Sequence, residues 1–399
     1  MDAELFRADV ELAPAGLRAL AERLEVGDPW AGLGAGVTGT PGSSTRGAGT
    51  DVTGTDVTGT RVTGTDVTGT DVTGTHVASS DGAGLDGSGP DGAPAVLLLG
   101  MGSSWYAADT VARRMRAAGI VAVAERASAE PGWRPPPGTL VVAVSASGGS
   151  AETVRAAQQY RELSVRDGLG LRLVALTERP DAKLADLADD TVLLGAGPEL
   201  GEVACRSFRH TLVLLLALAD RLTAGPDTGG PDTGAPRARL AAAVRRAAEA
   251  TEDLLDRRDA WLPELDRLLD GPDGVFVLGP AERLACAEQA ALMIREGPRR
   301  PAVACEVGDW SHVDVYLTRT LDYRALLLTG SGWQDAALEW LITRGSTVVP
   351  VGAPVPGACP ALRYRHDGDP VVRLLTDVTV AELLAHRWWT GRQVGAPSR

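Results

Sequence analysis

The sequence has 399 residues, with 39 Lys and Arg against 52 Asp and Glu and a formal net charge of −13. A chain this acidic is repelled by phosphate backbones and anionic lipid, so neither a nucleic acid nor a membrane surface is expected as a partner. Four cysteines (Cys205, Cys286, Cys305 and Cys359) stand apart with no CxxC pair, so neither a zinc site nor a disulfide framework is expected, and no motif calls for a cofactor.

Residues 1–14 are acidic and lack an apolar signal core, and no apolar run approaches a membrane span, which points to a cytoplasmic protein. Residues 1–31 read as a helical arm, with Leu5, Val10, Leu17, Leu20 and Leu24 along one face and Pro14 dividing it in two. Residues 32–93 are of low complexity. The pentad Val-Thr-Gly-Thr-Asp recurs from Asp51 to Thr75, its glycines oppose a stable helix and its valines are too sparse for a core. A disordered acidic insert with no catalytic role is expected there.

Residues 94–225 read as a first α/β domain, with strands at 95–99, 139–144, 171–177 and 191–194 and a helix over 105–118. The first two strands are short, continuous apolar runs of the kind buried on both faces of a parallel sheet. Each ends in a turn of glycine and serine, Gly100 to Ser104 and Ser145 to Ser150, followed by a helix. Free N–H groups and the positive end of a helix dipole favour an anion there, and this edge of an open parallel sheet is where ligands bind. A strongly apolar helix covers 210–222. Residues 226–239 read as a linker, and 240–399 as a second α/β domain. That domain has a helical stretch at 240–269, strands at 274–279, 324–328 and 347–352, a helix over 282–295 and a closing helix over 380–389.

Gly102-Ser103-Ser104 together with Ser145-x-Ser147-Gly148-x-Ser150-x-Glu152-Thr153 resembles the sugar isomerase (SIS) domain family, in particular the isomerase half of the glucosamine-6-phosphate synthases. The resemblance implies two tandem SIS domains, each a parallel sheet flanked by helices in a flavodoxin-like three-layer sandwich, the second lacking the phosphate-binding serines. It implies Ser103, Ser104, Ser145, Ser147 and Ser150 as contacts to the phosphate of a sugar phosphate. Residues 197–208 resemble the family stretch that touches the sugar, which implies Glu202 and Ala204 as sugar contacts.

Two further residues come from the second half. Ala291-Leu292-Met293-Ile294-Arg295-Glu296 resembles the family motif whose last glutamate is the isomerase base, and His312, sixteen residues on, matches the family histidine linked to ring opening. The residue types suit the chemistry. A half-buried carboxylate takes and returns a carbon-bound proton, and a histidine moves protons near neutrality.

This sequence also departs from the pattern. Ala146 replaces a glutamine, Ala204 a serine, Arg206 a lysine and Met293 a lysine. The lysine that forms a Schiff base near the family's C-terminus has no counterpart, and Asp2 stands where a glutaminase half has its cysteine. The implied activity is that of a sugar-phosphate isomerase or amino-sugar-phosphate deaminase without a glutaminase domain. The alternative is a non-catalytic sugar-phosphate sensor or partner subunit. A homodimer is expected through the first-domain helices, because the run 212–222 is apolar nearly all round.

Overall fold

The computed structural model describes residues 1–33, 94–130, 132–223 and 234–393; the pentad repeat lies outside the described residues. In chain order the elements are α1 (Ala3–Glu11), α2 (Ala13–Val26), β1 (Val96–Gly100), α3 (Ser103–Ala117), β2 (Ala122–Arg126), β3 (Leu140–Val144), α4 (Ala151–Asp167), β4 (Arg172–Thr177), α5 (Lys183–Leu187), β5 (Asp190–Leu193) and α6 (Arg206–Thr223). There follow α7 (Ala235–Asp256), α8 (Arg258–Leu269), β6 (Val275–Gly279), α9 (Leu284–Glu296), β7 (Ala302–Glu306), α10 (Val307–Trp310), β8 (Arg324–Leu328), α11 (Gln334–Thr343), β9 (Thr347–Val351), α12 (Pro370–Thr376) and α13 (Val378–Gln393).

Two parallel sheets result. The first has the order β2-β1-β3-β4-β5, and the second repeats its first four places as β7-β6-β8-β9. Side chains alternate across each strand, and the alternation sorts the cores. On one face of the first sheet Leu97, Leu99, Val141 and Ala143 pack with Ala157 and Tyr160 of α4 and Leu184 of α5. On the other, Val96, Leu98, Val142 and Val174 pack with Val111 of α3 and Leu212 of α6. That second cluster continues into Val277, Leu326 and Val349 of the second sheet through α9, α12 and α13. The outer face of the second sheet packs Phe276, Leu278 and Leu327 against Trp310 and Leu341. A helical layer shared by both sheets therefore forms the largest core.

Three features differ from the sequence expectation. The stretch 240–269 is two helices with a break at Arg257, and α7 already begins at Ala235, inside the segment expected to be a linker. The arm is not separate, since Phe6, Leu17, Leu20 and Leu24 are buried in the shared core. The apolar helix α6 is covered within the chain, with Leu212 to Leu215 wholly buried. The burial that pointed to a dimer through these helices is supplied within the chain, chiefly by α3, with α2 and α7 beside it.

Candidate functional site

The loops after β1 and β3 meet at the carboxyl edge of the first sheet. β1 sends α3 to one face and β3 sends α4 to the other, and the crevice between strands that part in this way is where open α/β sheets bind ligands. A cleft of about 820 Å3 opens there, lined among others by Ser104, Ser145, Ser147, Ser150, Glu202 and Ala204. The structure thus brings six of the nine sequence-predicted site residues together. Ser103, Glu296 and His312 do not line this cleft.

The β3–α4 loop owes its shape to Gly148, whose φ is +63° and whose added Cβ would stand 2.3 Å from Cβ of Ala182. The Gly148 N–H donates to the Ser145 carbonyl (2.9 Å) and Glu178 N–H to the Ala146 carbonyl (3.0 Å), which closes the loop onto β4. Ser147 is exposed; its hydroxyl accepts from Gly149 N–H at 3.2 Å. The Ser150 hydroxyl caps α4, accepting from Thr153 N–H at 3.4 Å. In the same turn the Glu152 carboxyl is held below its ordinary value by its own backbone N–H and by the Ser150 hydroxyl (3.0 Å), so the chain places one acceptor of its own at a helix end that favours anions.

Three carboxylates in the lining are missed by sequence reasoning or assigned to sugar, and each already has donors. Glu178 accepts from Ala196 N–H (2.9 Å) and Gly197 N–H (3.0 Å). Glu199 occupies the N-terminus of α6: it accepts from the N–H groups of Cys205 (2.6 Å), Arg206 (2.6 Å) and Ser207 (3.1 Å) and from the Ser207 hydroxyl (2.6 Å). Glu202, at φ +59°, pairs with the Met1 amino group at 2.8 Å. The anion-attracting end of α6 is therefore filled by Glu199, while that of α4 carries the exposed Glu152 carboxylate beside the serine hydroxyls. Arg179, held by Asp181 at 3.1 Å, is the guanidinium of the lining.

Arg206, where the resemblance has a lysine, turns away from the cleft. It is buried, donates to the Ala196 and Pro198 carbonyls and pairs with Asp9 at 2.9 Å, so it holds the wall rather than a ligand. Asp9 also accepts from Gly201 N–H at 2.7 Å, tying the same wall to α1.

The second half reaches the cleft wall through α9. Gln289 is fully buried, its Nε2 donates to the Ala204 carbonyl at 2.7 Å and its Oε1 is left without a partner. Glu296 lies seven residues on, on the same helix face as Gln289 and Met293. Burial raises its carboxyl above the ordinary value, and Arg295 opposes the rise. His312 lies exposed beyond α10, on the side of edge strand β7, so one chain does not bring it to the serines. Among the described residues no cluster of His, Cys, Asp or Glu is placed to hold a metal, and no helix is long and apolar enough to cross a membrane.

Burial, with Asp109 adding to it, pushes the Glu288 carboxyl up to about 7, against Arg126, Arg113 and Arg295. The folded state therefore keeps this proton to higher pH than the unfolded state, and stability falls as pH rises from the ordinary carboxyl range to about 7. Glu288→Gln stays neutral and should gain up to about 3 kcal/mol on the wild type between pH 4 and pH 8. Urea unfolding at both pH values measures it, and a gap that does not change with pH would refute the assignment.

Comparison with known proteins agrees with this geometry. The SIS domain family model matches residues 92–221, which hold both serine loops and Glu202 and Ala204. The first α/β unit is a SIS domain. Glutamine--fructose-6-phosphate aminotransferase [isomerizing] of Aeropyrum pernix is 29% identical over 179 residues, 45% of this chain and 28% of the relative. The enzyme of the same name from Gloeobacter violaceus is 27% identical over 229 residues, 56% of this chain and 36% of the relative. The match thus spans about a third of the length of these relatives.

Among solved structures, the C-terminal domain of glucosamine-fructose-6-phosphate aminotransferase from Francisella tularensis superposes with a TM-score of 0.63 at 16% identity, over 74% of this chain and 85% of that one. Tagatose-6-phosphate ketose/aldose isomerase from Escherichia coli gives 0.55 at 16% identity, over 75% and 82%. Coverage of three quarters of the chain exceeds the SIS domain, so the second sheet shares in this fold likeness.

Proposed function

We propose that the chain binds a phosphorylated hexose or hexosamine at the SIS cleft and acts on it as an aldose–ketose isomerase or amino-sugar-phosphate deaminase, the second α/β unit being a SIS domain without phosphate chemistry. The observation that carries the reading is the convergence of Ser104, Ser145, Ser147 and Ser150 with the N-terminus of α4 in one cleft. The names of the relatives place them among enzymes of sugar phosphates. In this reading Glu296 is the base that moves the carbon-bound proton, brought toward the sugar by the α9 face that Gln289 anchors on Ala204. His312 opens the ring, and Glu202 and Ala204 flank the sugar.

Ser147→Ala tests the phosphate assignment. A hydroxyl to a dianionic phosphate is a charge-assisted bond, and its loss should cost on the order of 1.5–3 kcal/mol, about tenfold to a hundredfold in affinity. Calorimetry with fructose 6-phosphate and glucosamine 6-phosphate reads this out. Undiminished affinity of the variant would remove the loop from the site.

A second reading, a binding module without turnover, is favoured by the absence of an amine from the lining. Lys183, the only lysine, is not among the lining residues, and Met293 replaces the family lysine on α9. Ser147-dependent binding with no conversion of any hexose or hexosamine phosphate would select it.

A further inference from the structure

The second sheet has the same parting of strands as the first. β6 sends α9 into the shared core and β8 sends α11 to the outer face, so the crevice between them corresponds to the one that holds the serine loops. Here the serines are replaced by charge. Arg283, four residues after β6, donates through Nη2 to the carbonyl of Thr329, just after β8. Arg373 of α12 donates through Nη2 to Thr329 Oγ1 (3.3 Å) and to the Val351 carbonyl at the end of β9 (3.0 Å). Both guanidiniums share one carboxylate: the Nε atoms of Arg283 and Arg373 lie 3.2 Å and 3.6 Å from Oδ2 of Asp377. Tyr364 donates its hydroxyl to the other oxygen.

The charges do not balance. Two arginine side chains, 9% and 10% exposed, share one wholly buried carboxylate, and the next carboxylate to reach Arg373, Asp367, is already paired with Arg363. Burial raises the Asp377 carboxyl and the two arginines lower it, so it supplies at most one negative charge. An excess positive charge in so dry a setting is costly unless an anion joins it. The free ends of both arginines mark where that anion fits. Nη1 of Arg373 and Nη1 of Arg283 stand 3.3 Å and 3.9 Å from the point a Cβ would occupy on Gly330. Gly330 is exposed, at φ +115°, and the hydrogen bonds of both arginines to protein run through Nη2.

We propose that Arg283 and Arg373 form a second anion site over Gly330, taking a phosphoryl group at the carboxyl edge of the second sheet. Guanidinium N–H groups suit phosphate oxygens in geometry and charge. The phosphoryl group belongs to inorganic phosphate or to a sugar phosphate. The site is separate from the SIS cleft and does not depend on the function proposed for it.

Equilibrium dialysis of the full chain with inorganic phosphate tests the site by counting. The wild type should bind two phosphates per chain, Ser147→Ala one, and Ser147→Ala/Arg283→Gln none. Glutamine places its amide about where Nε of Arg283 stands, toward Asp377, and leaves Arg373 and Asp377 as a balanced pair, so the fold should survive; melting temperature checks this. Arg283→Lys keeps the charge and should retain the second phosphate, with affinity within about tenfold of the wild type. Displacement of that phosphate by fructose 6-phosphate at equal concentration would assign the site to sugar phosphates, and failure to displace it would assign it to the free ion. If Ser147→Ala binds no phosphate, or if a folded Arg283→Gln loses none in either background, the second site does not exist. If Ser147→Ala binds as many as the wild type while Arg283→Gln binds one fewer, the cleft assignment falls and the second site stands.

Discussion

Glu382→Ala should destabilise the chain by about 3–5 kcal/mol, the range expected when one partner of a buried ion pair is removed. Arg209 of α6 and Glu382 of α13 are both wholly buried. The guanidinium uses all five of its N–H donors. Nη1 meets Glu382 Oε1 (2.8 Å) and the Cys205 carbonyl (2.9 Å), Nη2 meets Glu382 Oε2 (2.6 Å) and Thr379 Oγ1 (2.8 Å), and Nε meets the Leu375 carbonyl (2.9 Å). Alanine would leave that charge in the core with no counter-ion. The pair also ties the helix that follows the SIS cleft to the last helix of the second unit, so the loss should register as one cooperative unfolding event. Arg209→Met/Glu382→Leu removes both charges and should recover most of the loss, because apolar replacements of a buried pair are often neutral. Urea unfolding of the three proteins decides it. A loss below about 1 kcal/mol for Glu382→Ala would mean that water reaches the pair.

The sequence pattern exposes strands built of large aliphatic residues and hides those built of alanine. β1, β3, β4, β6, β8 and β9 are apolar runs and are legible as such. The edge strands β2 (Ala-Val-Ala-Glu-Arg) and β7 (Ala-Val-Ala-Cys-Glu) are partly exposed and built mainly of alanine, whose weak strand preference hides a short apolar run, whereas the valine-rich edge strand β9 is legible. The break at Arg257 has no glycine or proline to announce it. At the site, serines in a strand-to-helix turn declare themselves, because the turn supplies the hydroxyl and the helix end together. Glu178 and Glu199 do not, since each acts by accepting N–H groups from a segment that folds back on it. The Arg283, Arg373 and Asp377 cluster is assembled from residues about ninety positions apart, and only the meeting of β6, β8 and β9 makes it visible.

Glu296→Gln should reduce turnover of the proposed sugar-phosphate substrate by about 10^2–10^4-fold, the share a positioned general base contributes. Affinity for the same sugar phosphate should stay within about twofold, because the carboxylate acts on a carbon-bound proton and not on the phosphate. This pattern is the inverse of Ser147→Ala, and the pair of variants separates binding from chemistry. The pH profile supplies a sign. The base must be ionised, and burial raises the Glu296 carboxyl above its ordinary value. The kcat/KM of the wild type should therefore rise with pH through a point above the usual carboxyl range, and the residual activity of Glu296→Gln should lack that limb. Glu296→Asp, which keeps the acid but shortens its reach, should recover part of the rate and restore the limb. Turnover by Glu296→Gln within about threefold of wild type would place the base elsewhere. Glu178 would then be the first alternative: it lines the cleft, where the Ala196 and Gly197 N–H groups hold its carboxylate and Arg23 interacts with its charge.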